Sequence, residues 1–266
     1  MISAMILSYA LILAMGIVLG LLGGGGSILT VPILVYGFQV EAEKATLFSL
    51  IVVGVIASIA SLRHAKNNSI SYKNFLFLIP AFLGTFFSRR YLLPSLAPQM
   101  NFFGVPIEKS SFILITFSLV MIFAGWKMLR SSTLTIKEGS QQNITLLMII
   151  AFSIGLITGF VGAGGGFLIV PVLHYFFKLE MKRAIASSLF IIFINSTLGF
   201  LIDPQKLTSE DWKIVIGIIG VASIGIILGT EIGKLANGAQ LKRGFAYFVL
   251  LLASYMLWQN FKLIVI

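Results

Sequence analysis

Two apolar runs, residues 5–38 and 144–177, are each too long to be a single membrane helix. About 34 residues in one helix would extend roughly 51 Å at 1.5 Å per residue, against about 30 Å of hydrocarbon in a bilayer. Each run also holds a glycine cluster, "GLLGGGGSILTVPIL" at 20–34 and "GFVGAGGGFLIVPVL" at 159–173. A glycine in a helix interior costs about 1 kcal/mol relative to alanine, so the clusters mark where the runs break. Irregular backbone at membrane depth persists only where protein buries it or water lines it. The breaks are therefore expected to face a cavity inside the molecule.

Composition places these runs in a membrane. Of the 266 residues, 58% are hydrophobic and 11% charged, against about 25% charged in soluble domains. Apolar stretches near 5–22, 28–38, 45–62, 74–93, 110–129, 144–161, 166–177, 184–202, 212–234 and 242–260 leave no room for a soluble domain. The first of them, "MISAMILSYALILAMG", has no Lys or Arg before it and no small-residue cleavage site. It reads as a membrane helix rather than a removed signal peptide. The expected fold is an all-α polytopic membrane protein. With no Cys, disulfides, thiolate nucleophiles and cysteine metal sites are excluded.

The net charge of +10 has two readings. One is the positive-inside bias of an inner-membrane protein; the other is an anionic substrate or anionic lipid. Nucleic acid is not an expected partner, because the basic residues are scattered over short loops. The expected partners are a small anion, the bilayer itself and, as an allowed assembly, further copies of the chain.

The two halves repeat. Offset by 139, "GIVLGLLGGGGSILTVPILVYGFQVEAEKATLFSL" lies over "GLITGFVGAGGGFLIVPVLHYFFKLEMKRAIASSL", with 15 of 35 columns identical. The shared columns include Gly16/Gly155, Gly20/Gly159, Gly23/Gly162, Gly25/Gly164, Gly26/Gly165, Val31-Pro32/Val170-Pro171, Glu41/Glu180 and Ser49/Ser188. A weaker match sets "LGT" at 83–85 on "LGT" at 228–230. The chain divides into repeat 1 (1–130), a polar linker (131–143) and repeat 2 (144–266). The polar stretch 92–110, with Pro94, Pro98 and Pro106, is read as a second break in water.

A break creates a helix start, whose first amides lack partners and carry positive dipole charge. That suits an anion. Ser27 is placed to cap a short helix over 28–38, while in repeat 2 the corresponding position is Gly166, leaving backbone amides alone. Candidate substrate-binding residues are Gly23, Gly24, Gly25, Gly26, Ser27, Gly162, Gly164, Gly165 and Gly166. The competing explanation is close helix packing, which we prefer for Gly16, Gly20, Gly155 and Gly159. Mid-span in the helix over 184–202, Asn195, Ser196 and Thr197 add neutral donors for an oxyanion that must bind and then leave. Ser49 and Ser188 fit interhelical hydrogen bonding better.

These motifs resemble the sulfite exporter TauE/SafE family, also called the toluene-sulfonate uptake permease family. The resemblance rests on "GGGGSILTVP" and "GAGGGFLIVP", the polar hinge "RHAKNNSISYKN" (63–74), "PAFLGT" (80–85) and "DWKIVIGIIGVASIGIILGTEIGKLA" (211–236). It covers nearly the whole chain. It implies a transporter of about eight helices that moves sulfite, sulfonates or related sulfur anions, usually outward. One departure is Ser88-Arg89-Arg90, where the family often has a second Gly.

Ionisable residues at membrane depth are costly and hence suspect. His174, Glu41 and Glu180 are candidates for ion coupling. For His174 the alternative is a ring bonded to a backbone carbonyl. For the glutamates it is capping of the next helix, or pairing with Lys44 or with Lys182 and Arg183. Glu231 is expected to reach the interface. Arg63, His64, Arg89 and Arg90 are expected at span ends, setting topology and drawing anions to the mouth.

If each Gly-rich run is one crossing, there are eight spans, and Lys plus Arg divide about 9 against 10 across the membrane. If each short helix crosses, there are ten, the split is about 7 against 12, and the repeats are inverted. Eight is the working count, with each short helix a half-helix.

The expected activity is secondary transport by alternating access, with an anion channel using the same glycine-lined sites as the alternative. No GxxxxGK[ST] motif is present, and the default drive is the proton gradient or membrane potential. No cofactor or metal is expected. An enzyme is not expected, since His64 and His174 are the two histidines and no HExxH or paired-carboxylate site occurs. The expected location is the bacterial inner (cell) membrane.

Overall fold

A computed structural model describes residues 2–22, 25–65, 75–102, 105–130, 144–162, 164–177, 179–233 and 238–265. The polar linker 131–143 lies outside them, as do Gly23, Gly24 and most of the hinge 63–74. Helix α1 (Ile2–Leu22) is followed by a helical segment of mixed pitch. That segment is a 3-10 turn over Gly25–Leu29, α2 (Thr30–Pro32) and a π turn over Ile33–Gly37. Then come α3 (Ala42–Ala65), α4 (Phe75–Phe87), a π turn over Ser88–Leu92, and α5 (Leu93–Ser95). After a β-hairpin, α6 (Lys109–Arg130) closes the first half. The second half has α7 (Ile144–Val161), α8 (Gly166–Phe176), α9 (Met181–Ile202), α10 (Ser209–Ile232) and α11 (Gly238–Val265).

The helices are integral to a membrane. Among the described residues, seven spans are long and apolar enough to cross one, in α1, α3, α4–α5, α6, α7, α9 and α10. Helix α11 is 28 residues long and packs along α6. Large apolar side chains such as Ile79, Leu119, Ile216 and Leu251 are exposed. On a soluble monomer this much apolar surface would drive association; in a bilayer it faces lipid.

The proline-rich break at 92–110 is more ordered than the sequence suggests. Strands β1 (Gln99–Phe102) and β2 (Val105–Glu108) pair antiparallel with Gln99 opposite Glu108. Pro106 sits opposite Asn101 in this two-stranded ribbon, where every strand is an edge and a missing N–H is tolerated.

Helix directions follow from residue contacts. Gly16 packs on Ala222–Ile226 and Gly20 on Ile226–Thr230, so α1 and α10 run parallel. Gly155 packs on Ala81 and Gly159 on Thr85–Ser88, so α7 and α4 run parallel. These four glycines let backbones touch, which is what small residues do between membrane helices. Helices α3 and α9 are antiparallel, with Gly54 against Ser196 and Thr197 and Gly199 against Leu50. Lys44 pairs with Asp211 at 3.5 Å and Arg63 with Glu231 at 3.9 Å, aligning α3 with α10 start to start and end to end. Helices α1, α3 and α10 therefore share one direction.

Two consecutive long helices can share a direction only if the chain between them returns. It does: Gly26 packs on the backbone of Met15 and Leu19, and the Ser8 hydroxyl donates to the Gly37 carbonyl at 3.0 Å. The segment Gly25–Gly37 thus runs back down α1. In the second half Gly165 lies on Thr158 of α7, while Phe177, just past α8, meets Phe77 at the start of α4 with ring centroids 6.4 Å apart. The glycine clusters are reversals, not kinks within one crossing.

Candidate functional site

The second reversal is built from left-handed backbone. Gly162, Gly164 and Gly165 have φ of 75°, 62° and 77°, a region that costs an L-residue about 1–2 kcal/mol. Gly165, not Gly166, is the N-cap of α8; no side chain caps it, and its carbonyl accepts from Leu168 and Ile169 at 2.9 Å each. Gly166 is the first helical residue, and is buried.

Gly164 is the tip. A methyl group there would lie 2.8 Å from Val53 Cγ1, 2.9 Å from Ser196 Oγ and 3.0 Å from Ile192 Cγ2. Val53 and Ile192 are central in α3 and α9, so the tip reaches the middle of the molecule between those helices. The 3-10 turn Gly25–Leu29 packs against α8. Among the described residues, the buried Ser196 hydroxyl and the buried Asn195 Oδ1 have no protein partner, nor do Ser49 Oγ and Thr30 Oγ1. Buried polar atoms are normally satisfied, so the orphan Ser196 hydroxyl marks the Gly164 tip as a point where a polar ligand is expected to bind.

The remaining candidates are placed differently. Thr197 is half-buried and faces Gly54. Ser27 is fully buried inside the 3-10 turn that begins at Gly25; the helical segment starts earlier than the polar pattern suggests. Gly26 is filled by α1 backbone. His174 lies in the last turn of α8, far along that helix from Gly164–Gly166, and its Nδ1 donates to the Leu179 carbonyl at 2.8 Å. Glu41 and Glu180 are exposed, and their carbonyls accept from Ala45 and Ala184 at 2.8 Å each as α3 and α9 begin. Lys44 is committed to Asp211 rather than Glu41, and Lys109 holds Glu43 at 2.8 Å. Ser188 donates to the Ile185 carbonyl at 2.8 Å.

One group departs from its expected place. Arg89 is not at a solvated span end; its side chain is 0% exposed. Its Nη1 donates to Asp203 Oδ2 at 3.0 Å and to Thr46 Oγ1 at 3.1 Å. Thr46 also abuts Gly162, so this ion pair stands beside the second reversal. The signal was an arginine pair within the apolar run 74–93 and an acid ending the run 184–202, which alone do not show that the two meet.

Comparison with known proteins identifies the family. The profile of the family described as "Sulfite exporter TauE/SafE" matches residues 8–258. A "Probable membrane transporter protein" of Xylella fastidiosa is 28% identical over 259 residues, covering 94% of each chain. The "Probable membrane transporter protein YunE" of Bacillus subtilis is 26% identical over 253 residues, covering 86% of this chain and 89% of its own. A relative from Methanocaldococcus jannaschii with the same description is 33% identical over 120 residues, 42% of this chain and 44% of its own. No solved structure matches.

Proposed function

This chain belongs to the sulfite exporter TauE/SafE family of membrane transporters, and we propose that it exports a small sulfur-containing anion, sulfite or an organosulfonate, by secondary transport. The observation that carries this reading is the Gly164 tip set between α3 and α9 against the orphan Ser196 hydroxyl. Backbone amides at the start of α8, with the Ser196 hydroxyl, the side-chain Nδ2 of Asn195 and the Gly25–Leu29 turn, supply neutral donors to an oxyanion in this reading. Neutral donors hold an anion without trapping it.

The repeats 1–130 and 144–266 form an inverted pair in this proposal. Exchanging α1 with α7, α3 with α9, α4 with α10 and α6 with α11 leaves the main pairings unchanged: α1 with α10, α4 with α7, α3 with α9, and α6 with α11. Counting each returning segment gives ten passages and the 7 against 12 division of Lys plus Arg. The positive-inside rule then puts the ends of α3, α6 and α10 in the cytoplasm of a bacterial cell, and the Arg89 side outside. The glycine contacts lock α1 to α10 and α7 to α4. The bodies that rock in alternating access are therefore these cross-half pairs, not the sequence halves.

The test is flux. Proteoliposomes loaded with radiolabelled sulfite under an imposed pH gradient should show saturable efflux, strongly reduced in folded Ser196→Val and Asn195→Leu variants. Wild-type rates in both variants would remove the proposed site; no flux of sulfite or of any sulfonate would remove the proposed substrate class.

A further inference from the structure

Arg89 has three N–H groups that its ion pair does not use. Nη1 has two hydrogens and two partners, Asp203 Oδ2 at 3.0 Å and Thr46 Oγ1 at 3.1 Å. Nε and Nη2 have no partner among the described residues, though the side chain is 0% exposed. Nε–H and the adjacent Nη2–H form the side-on fork that binds two oxygens of one oxyanion.

Nearby carboxylates are otherwise engaged. Asp203 Oδ1 accepts from the Gln205 amide at 2.9 Å, and Glu43 Oε1 from Lys109 at 2.8 Å. The ion pair therefore fixes the guanidinium and leaves the fork without a partner among the described residues. A purely structural pair would turn the fork toward its carboxylate, because a buried cation with unmet donors is costly. Two further observations fit a ligand. Arg89 lies in a π turn, Ser88–Leu92, a distortion frequent at functional sites. Ser88 Oγ, on the same turn and buried beside Gly159, is also unpartnered among the described residues.

We propose that the Nε/Nη2 edge of Arg89, fixed by Asp203 and Thr46 beside the Gly162 end of the second reversal, is a binding site for a small sulfur oxyanion. It reads two adjacent oxygens of sulfite or a sulfonate head group on the side where α3, α6 and α10 begin. The site rests on the anion-transport reading for its place in a cycle, but not for its chemistry.

The test is anion-induced thermal stabilisation of the purified full chain in detergent, titrated with sulfite, methanesulfonate, acetate and chloride. Wild type should be stabilised saturably by sulfite or methanesulfonate. Arg89→Lys keeps the charge and a donor to Asp203 but loses the fork, and should weaken that response about tenfold or more. Arg89→Gln/Asp203→Asn removes the pair without stranding a charge, and should abolish it; this variant carries the test should Arg89→Lys fail to fold. Equal stabilisation of wild type and either folded variant overturns the proposal and leaves the transport reading standing. Acetate acting while sulfite and methanesulfonate do not, chloride acting as well as they do, or no saturable response overturns it too. Arg89-dependent binding in a protein that moves no sulfur anion in liposomes supports the site and removes the transport reading.

Discussion

Substituting Gly164 by alanine separates backbone strain from packing at the point on which the functional reading depends. The residue has φ of 62°, so an alanine carries about 1–2 kcal/mol of left-handed strain. Its Cβ would also lie 2.8–3.0 Å from Val53, Ser196 and Ile192. Those neighbours are side-chain atoms that can yield, which puts overpacking near the lower end of the usual ~1–3 kcal/mol. The expected loss is about 2–4 kcal/mol. The control is Gly220→Ala, because Gly220 lies in α10 with nothing within 4 Å of the methyl group that alanine adds; it should be neutral or stabilising by up to ~1 kcal/mol. Unfolding of both variants in mixed micelles by SDS titration measures the difference. If Gly164→Ala proves as stable as Gly220→Ala, the tip is neither left-handed nor wedged between α3 and α9, and the site built on it fails.

Three further outcomes follow from the contacts. Gly155→Ala places a methyl group on the Ala81 carbonyl, backbone that cannot yield, and should cost at least ~1–3 kcal/mol by SDS titration; wild-type stability would contradict the α4–α7 crossing. Asp203→Asn strands the buried Arg89 charge and should cost about 3–5 kcal/mol, while the Arg89→Gln/Asp203→Asn double variant should lose less than the two single losses summed; strict additivity in that cycle would show the pair uncoupled. Thr208→Ala removes the side-chain half of the capping box of α10, in which the Asp211 amide donates to Thr208 Oγ1 at 3.3 Å, and leaves the Thr208 amide donating to Asp211 Oδ2 at 2.8 Å; it should lower stability by ~1 kcal/mol, and an unchanged melting temperature would count against that cap.

Helix class and the breaks were legible because each rests on local information. The apolar runs give spans by length, and α1 ends at Leu22 and α7 at Val161, where the glycine clusters begin. The direction of the chain after each break was not legible. A reversal and a kink need the same glycines, and only distant contacts such as Gly37 with Ser8 and Phe177 with Phe77 tell them apart. Ser27 looked like a cap because capping is inferred from polarity, whereas the 3-10 turn begins at Gly25 and encloses it. Arg89 was misplaced for a related reason: an arginine beside a span end snorkels unless a distant acid claims it, and Asp203 is 114 residues away.

The order in which helices meet also shapes how the protein can be made. Gly16 and Gly20 in α1 are covered by α10, which begins at Ser209. At 5–20 residues per second, the roughly 190 residues between Leu22 and Ser209 take about 10–40 s to synthesise. Through that interval α1 holds its glycine face uncovered by α10, with the returning segment Gly25–Gly37 packed along it. By contrast, α7 emerges after α4 is already in place and can dock at once. Biogenesis is thus asymmetric although the finished pairings are symmetric: α10 must reach back to α1, and α11 to α6, past the helices made between them.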